Sequence, residues 1–179
     1  MVLLFLADGF EEIEALTPLD LLRRVGVEVI TVGLGSREIR GAHGITVLAD
    51  TDTNHMPASH PDMVILPGGM PGAANLDASD VVKETLATAH QNGAYLAAIC
   101  AAPMVLGHQG YLNGLRATCF PGFEEDLIGA TALPDGVVRD GNVITARGMG
   151  VALDFGLALV AALKDEETAA ALRKTVQAP

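Results

Sequence analysis

Short, wholly apolar runs alternate along this chain with longer stretches in which apolar positions recur every three or four residues. "VLLFLA" (2–7), "VEVITVG" (27–33), "DMVILPGG" (62–69) and "AYLAAIC" (94–100) are rich in Val, Ile and Leu without strict polar alternation, as strands buried on both faces of a parallel sheet are. The spacing around them predicts helices over 11–25, 78–93 and 101–110, and two more over 150–164 and 166–178. Two segments read differently: in 38–50 and 136–148 apolar pairs flank glycine-containing turns, and the second is expected to be a hairpin on Asp140-Gly141. Strand and helix in alternation imply right-handed crossovers, and hence an α/β sandwich with a mostly parallel central sheet and helices on both faces. No internal repeat, low-complexity stretch or linker divides the 179 residues, so one domain over 1–179 is expected.

Composition narrows the partners. Asp and Glu number 22 against 11 Lys and Arg, and the resulting formal charge of -11 repels phosphate backbones and anionic lipid surfaces, which argues against nucleic acid and membranes as partners. The longest apolar run, 93–107, is broken by Pro103 and is shorter than the ~18 residues that cross a bilayer. "MVLLFL" has no basic leader and meets Asp8, Glu11, Glu12 and Glu14 at once, so a cytoplasmic location is expected. In that compartment the two cysteines, Cys100 and Cys119, are expected to be free thiols.

Most of the motifs that carry chemistry are incomplete. The glycines of 33–38 and 148–153 lack the third glycine of a dinucleotide fingerprint, and the five histidines show no metal-binding spacing, so neither a cofactor nor a metal is expected. Cys100 is the exception. It ends a predicted strand and is followed by Ala101, Ala102 and Pro103, residues suited to a tight turn into a helix, which is how a nucleophile elbow is built. Such a turn sets the sulfur at a helix N-terminus and at the carboxyl edge of the sheet, where α/β folds bind ligands. Pro67-Gly68-Gly69, after a neighbouring strand, offers main-chain N–H groups at the same edge. Of the carboxylates after the first strand, Glu11 and Glu12 read as solvated charges at a helix start, whereas Glu14 is placed to point inward, where burial would keep it protonated and able to hydrogen-bond the thiolate.

"LADGFEEIEALTPLDLLRRVG", "VILPGGMPGAANL", "AAICAAPMVL" and "ITARGMG" followed by "FGLALV", in this order, resemble the ThiJ/PfpI superfamily in the branch of the parkinsonism-associated protein deglycase and its bacterial relatives. The resemblance spans nearly the whole chain. It implies a flavodoxin-like three-layer sandwich, a homodimer, a nucleophilic Cys100 partnered by protonated Glu14, and an oxyanion hole of Gly69 and Ala101 main-chain N–H groups. It places Gly68, Asp20, Arg24, Phe120 and Met149 beside the site, with Asp20 and Arg24 paired and Met149 of one subunit walling off Cys100 of the other. Leu16, Leu19 and Leu22 on the first helix fit such an interface.

Two departures shape the chemistry. Peptidase-like relatives carry His directly after the nucleophile, where this chain has Ala101, so a Cys-His peptidase is not assembled. Phe120 stands where some relatives supply a site histidine. The expected activity is glutathione-independent conversion of a dicarbonyl such as methylglyoxal to lactate, or deglycation of its early protein adducts, with Cys100 titrating well below the ~8.5 of a free thiol. The alternative is a redox-sensing, chaperone-like stress protein whose Cys100 is oxidised without turnover.

Overall fold

The chain runs β1 (Val2–Leu6), α1 (Glu12–Arg24), β2 (Val29–Gly33), β3 (Glu38–Arg40), β4 (Thr46–Leu48), β5 (Thr51–Asp52), β6 (Met63–Leu66), α2 (Gly72–Ala78), α3 (Asp80–Gln91) and β7 (Tyr95–Ile99). It continues through α4 (Pro103–His108), β8 (Arg116–Ala117), a 3-10 turn (Glu124–Asp126), β9 (Thr131–Ala132), β10 (Val137–Asp140), β11 (Val143–Ala146), α5 (Ala152–Leu163) and α6 (Glu166–Thr175). This computed structural model describes residues 1–58 and 60–179. Seven strands form one sheet in the order β10-β11-β7-β6-β1-β2-β5, all parallel except the edge strand β10.

The register sorts side chains to two cores. Leu3, Phe5, Val64, Leu66, Leu96 and Ala98 face one side, under Leu76 of α2, Val82 and Leu86 of α3 and Val105 of α4. Val2, Leu4, Leu6, Ile65, Ala97 and Ile99 face the other, under Leu21 and Leu22 of α1, Phe155 and Leu159 of α5 and Leu172 of α6. Both faces of the central strands are thus apolar, which is why their sequences do not alternate. A fully buried Leu or Phe contributes about 1.5–3 kcal/mol, so these two layers dominate the favourable side of folding. At Gly156 a Cβ would lie 2.6 Å from Leu21 Cδ1 and 3.1 Å from Pro18 Cα, so only glycine lets α5 close on α1.

The flavodoxin-like α/β sandwich is therefore observed, with differences in detail. The expected helix over 78–93 is α3, capped by Ser79, whose hydroxyl accepts the Val82 N–H; the separate helix α2 lies ahead of it, made of small residues with no amphipathic stripe. The 136–148 hairpin forms on Asp140-Gly141, with Gly141 at φ 59, and joins the sheet where β11 pairs with β7. In 38–50 the strands β3 and β4 pair with each other outside the main sheet.

Candidate active site

Three carboxyl-end connections of the sheet meet at Cys100. The residue follows β7 at φ 66, a left-handed conformation that a side chain adopts at a cost of about 1–3 kcal/mol and that the surroundings must enforce. They do so from both sides: the Cys100 N–H donates to the Ala146 carbonyl at 2.8 Å, and its carbonyl accepts the Phe120 N–H at 2.8 Å. Ala101 and Ala102 then turn the chain into α4, which begins at Pro103. This is the elbow the sequence predicts, with a half-buried thiol at its tip.

Glu14 comes to the same point from α1. It is 1% exposed, and its Oε2 accepts the Gly68 N–H at 3.0 Å. It also hydrogen-bonds Cys100 and accepts the Met149 N–H. Gly68 lies between the two functional groups: a Cβ there would fall 2.5 Å from Cys100 Cβ and 2.5 Å from Glu14 Oε2. Any side chain would push acid and thiol apart. Gly69, at φ 85 and pressed against Gly9 and Glu11, turns its N–H toward the sulfur, and the Ala101 N–H does the same.

Burial raises the Glu14 carboxyl to about 7, against the lowering effect of its Cys100, Gly68 and Met149 hydrogen bonds. Burial also pushes the Cys100 thiol up to about 12, with the Glu14 charge and hydrogen bond next, while the Gly69 and Ala101 N–H groups lower it. The two groups titrate as a pair that sheds one proton near neutrality and a second only in strong base. The expected thiol, acidified below its free value, is thus not found as an independent group. The helix N-terminus and neighbouring N–H groups do not offset desolvation once Glu14 is ionised. With one proton lost, the remaining proton stays on sulfur, hydrogen-bonded to Glu14, and an attack by sulfur leaves it on Glu14.

The other predicted residues separate into two groups. Phe120 is held at the elbow by its N–H, and its ring packs beside Gly148, about 3.3 Å from where a Cβ would stand. Met149 reaches its own chain's Glu14 through its main-chain N–H, with its side chain exposed. Asp20 and Arg24 do pair, at 2.6 Å, but on an exposed face of α1. At 1.5 Å per residue they stand about 9 and 15 Å along the helix from Glu14, so they are not beside this site. Cys119 is buried, its thiol raised to about 11 by burial and then by Glu124.

Glu12 corrects the reading of solvated charges. It is 3% exposed, and its carboxylate accepts the His43 N–H at 2.9 Å and the Ile45 N–H while meeting His43 Nδ1 at 3.0 Å. Ligand atoms of Glu11, Glu12 and His43 lie within 4.8 Å of one another, the one grouping among the described residues with the geometry to hold a metal ion. Its hydrogen bonds already serve to fasten the 41–45 loop to α1. The Gly68 and Met149 N–H groups on Glu14 are main-chain contacts, and no residue type announces them in the sequence.

Residues 1–162 match the model of the DJ-1/PfpI family. The chain belongs to that family. Among its DJ-1/PfpI relatives, protein dj-1beta of Drosophila melanogaster is 36% identical over 168 residues, 92% of this chain and 90% of that protein. The glutathione-independent glyoxalase DJR-1.2 of Caenorhabditis elegans is 33% identical over 166 residues, 92% of this chain and 88% of that one. The structure of oxidized DJ-1 from Toxoplasma gondii superposes with a TM-score of 0.95 at 31% identity, covering 99% of this chain and 97% of that chain. Among the described residues no helix is long and apolar enough to cross a membrane.

Proposed function

We propose that the protein is a glutathione-independent glyoxalase of the DJ-1 type, converting a small 2-oxoaldehyde such as methylglyoxal to the 2-hydroxy acid. The observation that carries this reading is the apposition of the Cys100 thiol and the Glu14 carboxyl across Gly68, a position with no room for a side chain. A carboxyl at about 7 is matched to general acid–base work at neutral pH. Glu14 takes the thiol proton as sulfur bonds to the aldehyde carbon, and the oxyanion forms beside the Gly69 and Ala101 N–H groups. Glu14 returns that proton to the oxygen, giving a hemithioacetal. It then removes hydrogen from C1 and delivers it to C2 through an enediol, leaving a thioester. Water cleaves the thioester to lactate and the free thiol, so methylglyoxal and water enter and lactic acid leaves. The family relative that bears the glyoxalase name supports the assignment. Early adducts of the same aldehydes on protein amines present the same carbon to the sulfur.

A second reading, a redox sensor with chaperone-like action, draws on the half-buried thiol with its N–H donors and on the relative solved in an oxidized form. There two equivalents of peroxide take the thiol to a sulfinic acid with release of two waters. Lactate released from methylglyoxal without glutathione, and lost in Cys100→Ser, separates the two; a folded wild type that makes none leaves only the sensor.

A homodimer in the cytoplasm belongs to the same proposal. Ile13, Leu48 and Met149 are large exposed apolar side chains, whereas Leu22 is core and Leu16 and Leu19 are partly covered, so the apolar face of α1 shifts to its first turn. Light scattering at micromolar protein reads the stoichiometry, and a monomer with undiminished turnover overturns both the dimer and a wall supplied by Met149 of the partner subunit.

A further inference from the structure

Behind the elbow, the three segments that build the site are tied together again. α4 leaves Cys100 and ends at His108; α2 leaves the Gly68–Gly69 loop and carries Asp77 in its last turn; the loop leaving Phe120 runs into the Glu124–Asp126 turn. His108 Nδ1 lies 2.9 Å from Asp77 Oδ2 and Nε2 lies 3.3 Å from Asp126 Oδ1. A neutral imidazole has one N–H, so it would turn a nitrogen lone pair on one of these carboxylates; only the imidazolium donates to both. Asp77 Oδ1 is buried with no hydrogen-bond partner among the described residues, which leaves this carboxylate dependent on His108. The main chains also meet here, because a Cβ on Gly107 would lie 2.0 Å from the Asp126 carbonyl oxygen.

We propose that His108 is a positioning residue: as an imidazolium bridging Asp77 and Asp126 it fastens α2 and the 124–126 turn to α4, and so holds the Gly69 and Phe120 loops against the Cys100 elbow. The route to the site is short. The Ala73 N–H, in the first turn of α2, donates to the Gly69 carbonyl at 2.8 Å, and the Phe120 N–H donates to the Cys100 carbonyl. The charged groups that act on the ring are both acidic, Asp77 from α2 and Asp126 from the turn, while α4 and β7 bring no other charge. The Asp77 hydrogen bond, followed by Asp126 and both charges, raises His108 above its ordinary range against the lowering effect of burial. A raised imidazole gives stability that is complete below the unfolded value and lost as pH rises through the folded one, so the clamp opens on the alkaline side. The inference concerns how the thiol is held and stands apart from the dicarbonyl reaction.

The test reads Cys100 and its loops directly. Alkylation of Cys100 by iodoacetamide, followed by mass spectrometry, and hydrogen exchange at the Ala73 and Phe120 amides are compared from mild acid to mild base in wild type, His108→Gln and Asp77→Asn, with the His108 ring followed by NMR. In mild acid His108→Gln exchanges those amides about fivefold faster and alkylates Cys100 severalfold more slowly, the size of effect one charged hydrogen bond carries. The gap closes as pH rises past the wild-type imidazole titration, and Asp77→Asn moves both that titration and the closing point to lower pH. Equal exchange and alkylation in His108→Gln, a gap of the same size at every pH, or a His108 ring titrating at its ordinary value would each overturn the proposal.

Discussion

Glu12 and Glu14 stand two residues apart in the first turn of α1, both almost inaccessible to solvent, and their carboxyls are driven in opposite directions. At Glu12 burial raises the carboxyl, but His43 and the 41–45 loop supply a ring nitrogen and main-chain N–H donors that carry it net below its usual range. At Glu14 deeper burial raises the carboxyl more than the Cys100 thiol and two main-chain N–H groups lower it, and the negative Glu11 pushes it further upward. Accessibility is alike at the two positions, so the donor inventory and depth decide. One carboxylate is satisfied and fastens a loop; the other lies deeper, where two main-chain N–H groups and a thiol do not offset desolvation, and that imbalance keeps a transferable proton beside Cys100.

Substitution breaks this comparison most sharply at Glu14. Glu14→Gln fills the same space, so the fold is kept while dicarbonyl turnover falls by about 10²–10⁴, the range for loss of a positioned acid–base group, as lactate formation would show. Glu12→Gln leaves turnover within a few fold and instead lowers stability by about 1–3 kcal/mol in urea unfolding, because donors in the 41–45 loop lose their charged acceptor. Gly68→Ala comes next. Its Cβ forces Cys100 and Glu14 apart, and Cys100 alkylation is expected to slow at least tenfold with a stability loss of about 1–3 kcal/mol.

The pH dependence of stability separates the two acids by sign. Glu14, raised from 4.5 to about 7, contributes stability that is present below its unfolded value and lost as pH climbs through about 7. Glu14→Gln is therefore expected to be more stable than wild type at pH 8, on the order of 2 kcal/mol, and to lose that advantage toward pH 5. Glu12, lowered, contributes stability that is present above its unfolded value and lost as pH falls through its folded one, so Glu12→Gln costs most on the alkaline side. Thermal unfolding of both variants across that span checks the crossing. The smallest effect belongs to Asp20→Asn, which cuts an exposed pair at the far end of α1: about 0.5 kcal/mol or less, with Cys100 reactivity unchanged.

What could be seen in advance follows the range of the forces involved. Strands buried on two faces announce themselves as apolar runs, so the layers, the helices that cover them and the Cys100 elbow were legible in local pattern. α2 was not, because Gly72, Ala73 and Ala74 carry no amphipathic stripe, and the two-residue β5, β8 and β9 are too short to show one. At the site, Cys100 and Glu14 stood out by residue type and position, whereas Gly68 read as a residue beside the site in a loop offering main-chain N–H groups; its role as a spacer exists only once α1 and β7 are side by side. Glu12 looked solvated because the loop that covers it lies 31 residues away in sequence. The ion pair of Asp20 and Arg24 was visible as i, i+4 spacing, yet its distance from the site depends on which end of α1 meets the sheet edge. The thiol's titration turned on burial depth, which no local pattern reports.

The central claim is that Cys100 and Glu14 act as one titrating unit, and the rate of Cys100 alkylation against pH, read by mass spectrometry in wild type and Glu14→Gln, tests it most directly. The wild-type rate is expected to rise in a single limb centred near 7, where the pair loses its first proton, and that limb is expected to vanish in Glu14→Gln. A wild-type rise centred on the ~8.5 of a free thiol, unchanged in Glu14→Gln, would contradict the account.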